Sequence, residues 1–146
     1  MKPKRYIIDV FMVLLLGISL AGCHPKMDVL NQAEKIFIKR VDKTADKLDL
    51  NAEQKIQLEK LKLDIRKNFQ DGQVEKKEAM AKIREEGLKG DPDIQKMTSL
   101  LQESMRAETQ RINRAFDLML GFQKNLNESQ KKRLGQMISD WVGKWK

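Results

Sequence analysis

The sequence predicts an all-α protein made of one domain of packed helices. Beyond residue 28, apolar residues recur in steps of three and four, which places them on one face of a helix. No stretch has the alternation of apolar and polar residues that is typical of a half-buried strand. A helix-capping sequence, L-N-x-x-Q, occurs twice, each time directly before such a helical pattern.

The N-terminus has the pattern of a signal peptide. Three bases, Lys2, Lys4 and Arg5, precede an apolar run of 12 residues at 10–21. A helix needs about 20 apolar residues to span a bilayer, so this run is too short to be a typical transmembrane helix. A positive start followed by a short apolar run is characteristic of an export signal.

The apolar run ends in the sequence L-A-G-C at residues 20–23, which resembles a lipobox. Small residues let the backbone enter a signal peptidase, and the thiol that follows can carry a diacylglycerol. We therefore expect a lipoprotein signal peptide at 1–22, a lipid-bearing Cys23 as the first mature residue, and a lipidated tether at 23–28. The alternative is an uncleaved anchor with an incidental cysteine.

The mature composition limits the partners and the location. Cys23 is the only cysteine, so no internal disulfide can form. Removing residues 1–22 leaves 26 bases and 20 acids, a net charge of +6. We expect no nucleic acid partner for an exported chain; unfolded polypeptide, anionic lipid and cell-wall polymer remain. His24 follows Cys23, which by the usual enteric sorting rule predicts the periplasmic face of the outer membrane, with the inner membrane as the alternative.

Five helices are expected within a single domain at residues 29–146. In this prediction Gly72 ends the second helix, and Gly87 with Gly90 closes a short, highly charged third helix. Asp91 as cap and Pro92 in the first turn begin the longest helix. The expected bounds are 29–48, 51–72, 74–86, 91–124 and 127–146.

The strongest internal signal is a repeat with a spacing of 76 residues. L-N-x-x-Q occurs at residues 50–54 and again at 126–130. The apolar positions that follow the two copies are in the same register: Leu58, Leu61, Ile65 and Phe69 correspond to Leu134, Met137, Trp141 and Trp145.

Each copy has the chemistry of a capping box. The Asn side chain can accept a hydrogen bond from an unpaired N–H in the first helical turn, and the Gln can reach back to the N–H of the Asn. The Leu before the cap can fold onto the first turns. The residues concerned are Leu50, Asn51, Gln54, Leu126, Asn127 and Gln130.

Two such motifs in a small, exported helical chain resemble the Spy/CpxP family of periplasmic proteins, which is marked by two L-T-x-x-Q motifs. Asn51 and Asn127 replace both threonines, a departure that keeps the capping chemistry. The resemblance extends over about residues 28–146. It implies a long bent α-helical hairpin with additional N- and C-terminal helices, paired as a cradle-shaped homodimer. A lipobox is a second departure, because known members are often soluble.

The resemblance implies one of two functions. The first is ATP-independent chaperoning or envelope-stress control, with unfolded or envelope proteins, or the periplasmic domain of a sensor kinase, as partners. The second is periplasmic sensing of, or resistance to, heavy metals. A structural envelope lipoprotein that contacts peptidoglycan or lipid through basic residues is a third hypothesis.

The residues argue against a metal site, a cofactor or catalysis. His24 is the only histidine, and a transition-metal site needs several suitable ligands. We find no nucleophile elbow, phosphate loop or zincin motif, so no enzyme is predicted. Soft thioethers can bind copper(I), but methionine is also an adaptable core filler. Core positions are expected for Met97, Met105, Met119 and Met137.

The C-terminal helix contains the candidate contact residues for a client or partner. Two tryptophans, Trp141 and Trp145, lie one turn apart, and the alternative for both is packing at stripe positions. Three consecutive bases, Lys131, Lys132 and Arg133, occupy the first turns, where the alternative is an ordinary solvated face.

Overall fold

A computed structural model describes residues 29–143, which form four α-helices and a short 3₁₀ helix and contain no strand. The predicted all-α class is therefore confirmed. The predicted signal peptide, the tether with Cys23 and His24, and Trp145 lie outside the described residues. In chain order the helices are α1 (Val29–Ala45), α2 (Ala52–Gly87), α3 (Ile94–Phe122), the 3₁₀ helix (Gln123–Asn125) and α4 (Glu128–Gly143).

The second and third helices, α2 and α3, lie antiparallel and form a long hairpin. Asn68 in the middle of α2 donates to the carbonyl of Arg111 in α3 at 2.7 Å. Glu86 near the end of α2 contacts Lys96 near the start of α3 at 2.8 Å. With 36 residues, α2 is about 54 Å long. The predicted hairpin with further helices before and after it is confirmed.

The hydrophobic core lies where α1 covers one half of the hairpin. Phe37 of α1 is in ring contact with Phe69 of α2 at 5.6 Å between centroids and with Phe116 of α3 at 4.9 Å. Such tilted and edge-on contacts are favourable for aromatic rings. The buried apolar residues are Leu30, Phe37, Val41, Leu48, Leu50, Leu58, Leu61, Ile65, Phe69, Ala115 and Leu126.

The predicted helix stop at Gly72 is wrong, because α2 continues through it to Gly87. Gly72 is buried at a point of close approach. A Cβ added there would lie 2.9 Å from Cγ of Arg111 and 3.1 Å from Cδ1 of Leu30. The glycine therefore lets α1 and α3 approach α2, and the predicted third helix is the second half of α2.

Two other boundaries differ from the prediction. The first helix ends at Ala45 rather than at residue 48, and the turn that follows contains Asp49 with φ of 50°. Aspartate is among the residues that tolerate this left-handed conformation. The cap of α3 is Asp93, not Asp91, and its side chain accepts from the N–H of Lys96 at 2.9 Å. Pro92 therefore precedes the cap and lies outside the helix.

The end of α3 also differs slightly from the prediction, and the predicted closing glycine of α2 is where it was expected. The helix stops at Phe122 rather than near residue 124, because the chain tightens into the 3₁₀ helix. Gly87 is the last residue of α2. Within residues 29–143, no helix has the length and apolar character required to cross a bilayer.

A buried carboxylate closes the turn of the hairpin. Glu86, which is 4 % exposed, accepts from the ammonium groups of Lys89 and Lys96, each at 2.8 Å. The N–H of Asp93 also donates to it at 3.4 Å. The hydrogen bond from Lys89, and next that from Lys96, lowers the pKa of Glu86 from its ordinary value of 4.5 to about 2.

Gly72→Ala should lower the free energy of unfolding by about 1–2 kcal/mol. The steric cost of overpacking, roughly 1–3 kcal/mol, exceeds the helix-propensity gain of about 1 kcal/mol. Gly135→Ala in α4 is the matched control, because nothing lies within 4 Å of its added Cβ. Urea unfolding should show this control to be neutral or stabilised. A stabilised Gly72→Ala protein would contradict the close approach.

The stability contributed by Glu86 should be lost in acid. Its pKa is lower in the folded chain, so the contribution is fully present above about pH 4.5 and disappears as the pH falls towards 2. Urea unfolding at a series of pH values should show a smaller dependence between pH 5 and 2 for Glu86→Gln than for the unchanged protein. Lys89→Met should move the loss to higher pH. Identical pH profiles for all three proteins would reject the contact.

Candidate functional site

The two L-N-x-x-Q motifs form capping boxes at the starts of α2 and α4. At α2, the side chain of Asn51 accepts from the N–H of Gln54 at 2.8 Å, and Gln54 Oε1 accepts from the N–H of Asn51 at 3.0 Å. At α4, the corresponding bonds between Asn127 and Gln130 are both 2.9 Å. Four N–H groups that the helices leave unpaired are therefore satisfied.

The two glutamines also bond to each other. Nε2 of Gln54 donates to Oε1 of Gln130 at 2.9 Å, and Nε2 of Gln130 donates to Oε1 of Gln54 at 3.0 Å. We call these two side chains the amide pair. The sequence analysis did not predict the amide pair, because each capping box already accounts for its own glutamine.

Each amide in the pair also bonds to the loop before the other helix. Nε2 of Gln54 donates to the carbonyl of Asn125 at 2.7 Å, and Nε2 of Gln130 donates to the carbonyl of Leu48 at 3.0 Å. Each oxygen thus accepts two bonds and each NH₂ donates two, which uses the full hydrogen-bonding capacity of a primary amide.

Apolar side chains enclose the amide pair in the core. Leu50 and Leu126, which precede the two caps, are buried together with Leu48. Both glutamines are buried as well, with no more than 7 % of either exposed. Among the described residues, no buried side-chain nitrogen or oxygen lacks a hydrogen-bond partner. A fully satisfied network in such surroundings favours a single arrangement of the chain.

A comparison with known protein families is decisive once this geometry is known. The profile described as LTXXQ motif family protein matches residues 37–137, well over half of the chain, and includes both motifs. This chain belongs to the LTXXQ motif family. No curated protein and no solved structure matches it. The family is a non-enzymatic, helical one with Spy/CpxP-like members, which suggests a periplasmic helical protein.

In this LTXXQ protein, two of the three candidate contact bases have partners within the chain. Arg133 Nη1 lies 2.6 Å from a carboxylate oxygen of Asp49 and 3.4 Å from the carbonyl of Lys47. Lys131 pairs with Glu128 at 2.8 Å. Lys132 is exposed. Arg133 therefore adds a further link between α4 and the turn before α2.

The candidate contact residue Trp141 lies beside α1. The guanidinium carbon of Arg40 is 5.4 Å from the centroid of a Trp141 ring, a cation–π arrangement, and the tryptophan is half-buried. This geometry favours the packing interpretation for Trp141.

The methionines are divided between the core and the surface. Met119 and Met137 pack against the core, as predicted. The prediction is wrong for Met105, which is 62 % exposed. The reason is that α1 spans only half of the hairpin, so no third helix covers this part of α3. Within residues 29–143, no cluster of three or more His, Cys, Asp or Glu residues is placed to hold a metal ion.

Polar contacts that the sequence analysis missed align the two arms of the hairpin. Lys76 pairs with Glu108 at 2.7 Å, and Glu75 pairs with Arg111. Ser104 occupies a buried position at this interface. Because both partners of each pair lie on solvent-facing turns in a wheel drawn for one helix alone, only the pairing of the helices identifies them.

Replacing one glutamine of the amide pair should cost more than its share of replacing both. We expect Gln54→Met or Gln130→Met alone to lower the free energy of unfolding by about 1–3 kcal/mol, since each leaves a buried amide without its partner. The double variant should be less destabilised than the sum of the two, by at least about 0.5 kcal/mol. Urea unfolding of all four proteins measures this coupling, and simple additivity would contradict the reciprocal bonds.

Proposed function

We propose that this LTXXQ protein is a periplasmic, lipid-anchored chaperone or envelope-stress adaptor that binds unfolded or envelope proteins without ATP. Its anchor would be Cys23 on the periplasmic face of the outer membrane, and its active form a homodimer. The sequence L-A-G-C at residues 20–23 supports the anchor, and the resemblance to Spy/CpxP proteins supports the dimer. Family membership supports the periplasm.

The observation that carries the proposal is a line of exposed apolar residues along α3. We call it the α3 apolar line. Its spacing keeps these side chains near one side of the helix over about 40 Å. Its members, with the exposed fraction of each, are Ile94 (65 %), Leu101 (47 %), Met105 (62 %), Phe116 (44 %) and Leu120 (58 %).

An extended apolar line suits weak contact with many different chains. Each side chain can shield a short apolar segment of a client, and none is enclosed in a pocket that would select one sequence. Methionine adapts its shape to different partners, which favours such broad binding. Phe116 is held against Phe37 by an edge-on ring contact, so part of the line is fixed in place by the core.

Positive charge beside the line would attract acidic segments. Arg106 and Arg114 are exposed on α3, and the mature chain has a net charge of +6. Such attraction speeds encounter and weakens as salt screens it. The proposed mechanism is therefore charge-assisted encounter followed by reversible apolar contact.

The proposal predicts that charges on the α3 apolar line abolish chaperoning. Stoichiometric mature protein should suppress aggregation of a denatured client at low salt, and Leu101→Lys with Met105→Lys should weaken client binding by about tenfold or more. The reason is that half-burying each side chain contributes on the order of 1 kcal/mol. Light scattering and a client-binding titration measure both effects.

The matched control places the same charges on the other arm. Ile56→Lys with Leu63→Lys changes two residues of α2 that are at least as exposed, and client binding should stay close to that of the unchanged protein. No suppression by the unchanged protein would reject the chaperone. Equal losses in the two variants would reject the α3 apolar line.

Sedimentation equilibrium separates a client surface from a dimer interface. If the α3 variant dissociates a dimer but still suppresses aggregation, the line is covered by a second copy and clients bind elsewhere. If the variant loses client binding without a change in mass, the line itself is the client surface.

A further inference from the structure

The outer face of α1 presents a row of lysines. Lys35, Lys39 and Lys43 are spaced four residues apart, so they follow one side of the helix, and all three are exposed. Val29 and Ile36, which are 39 % and 59 % exposed, lie on the same side. We call these five residues the α1 lysine face.

This face has no acidic residue to balance its charge. Asp42, the acid closest in sequence to Lys43, turns towards α2 and pairs with Lys62 at 2.9 Å. Within the described residues, no carboxylate lies within 4 Å of any of the three lysine ammonium groups. The face is therefore a local positive surface with two apolar side chains.

The position of α1 in the chain limits which surface it can reach. Six residues separate Val29 from Cys23, and a fully extended chain of that length spans at most about 20 Å. A lipid on Cys23 would therefore hold the first turn of α1 within about 20 Å of the bilayer. This step rests on the proposed anchor, which is part of the proposed function.

We propose that the α1 lysine face binds the anionic headgroups of the bilayer that holds the anchor, so that α1 lies against the membrane. Lysine ammonium groups are mobile point charges that suit a fluid layer of phosphates, and their alkyl stems can follow the apolar boundary. Val29 and Ile36 would enter the headgroup layer between them.

Binding of this kind gives the anchored protein a fixed side towards the membrane. One lipid chain or one basic surface alone holds a protein weakly, and the two together hold it stably. The proposed client surface is on α3 and the proposed membrane surface is on α1, so different helices serve the two contacts.

The test uses the chain from residue 23 onwards with Cys23→Ser, so that headgroup binding is measured without the lipid. The core lies within residues 29–143, so this chain keeps every contact described above. We expect it to co-sediment with vesicles of phosphatidylcholine that contain 30 % phosphatidylglycerol, at low salt, and not with pure phosphatidylcholine vesicles.

Removing the lysine row should abolish this binding. Each lysine near an anionic surface contributes about fivefold to affinity, so Lys35→Gln, Lys39→Gln and Lys43→Gln together should reduce binding by up to about a hundredfold. The matched control replaces three exposed lysines of α2 with glutamine, namely Lys55, Lys60 and Lys77. The control has the same net charge and should bind within a fewfold of the unchanged chain.

Three outcomes overturn the inference. The first is failure of the unchanged chain to bind anionic vesicles, and the second is an equal loss in both triple variants, which would indicate attraction by net charge alone. The third is loss of aggregation suppression by the α1 variant while vesicle binding persists, which would make this face a client surface. Vesicle binding by a chain that suppresses no aggregation would leave this inference standing and reject the chaperone.

Discussion

The reciprocal hydrogen bonds between the amides of Gln54 and Gln130 are the contact on which the rest of the fold depends. Each glutamine caps its own helix and bonds to the loop before the other helix, so one buried pair fixes the starts of α2 and α4 together. Either amide alone would leave buried donors or acceptors unpaired, at a cost of about 1–3 kcal/mol for each group. The motif therefore works as a pair, which explains why it occurs twice.

A firm contact at this end of the hairpin is needed because the outer half has little core. There, Lys76–Glu108 and the closure of the turn by Glu86 align two helices that α1 does not cover. The same shortage of covering helices leaves Met105 and its neighbours in water. The feature that limits stability thus provides the surface that the proposed function requires.

The sequence predicted the helical class and both capping boxes, because these depend on residues that are close together in the chain. It did not predict the amide pair, since a capping box alone is a sufficient explanation for each glutamine. It also misplaced Gly72, because a glycine in a helical pattern fits either a stop or a close approach. Periodicity placed Met105 on the correct stripe, but only the length of α1 decides which part of that stripe is covered.

Native-state hydrogen exchange at the N–H of Asn51 tests the central contact most directly. This amide donates to Gln54, and the account predicts that Gln130→Met, in a different helix, lowers its protection by about tenfold relative to the amide of Phe69 in the middle of α2. Unchanged relative protection at Asn51 would show that the two capping boxes are independent, and it would contradict the account.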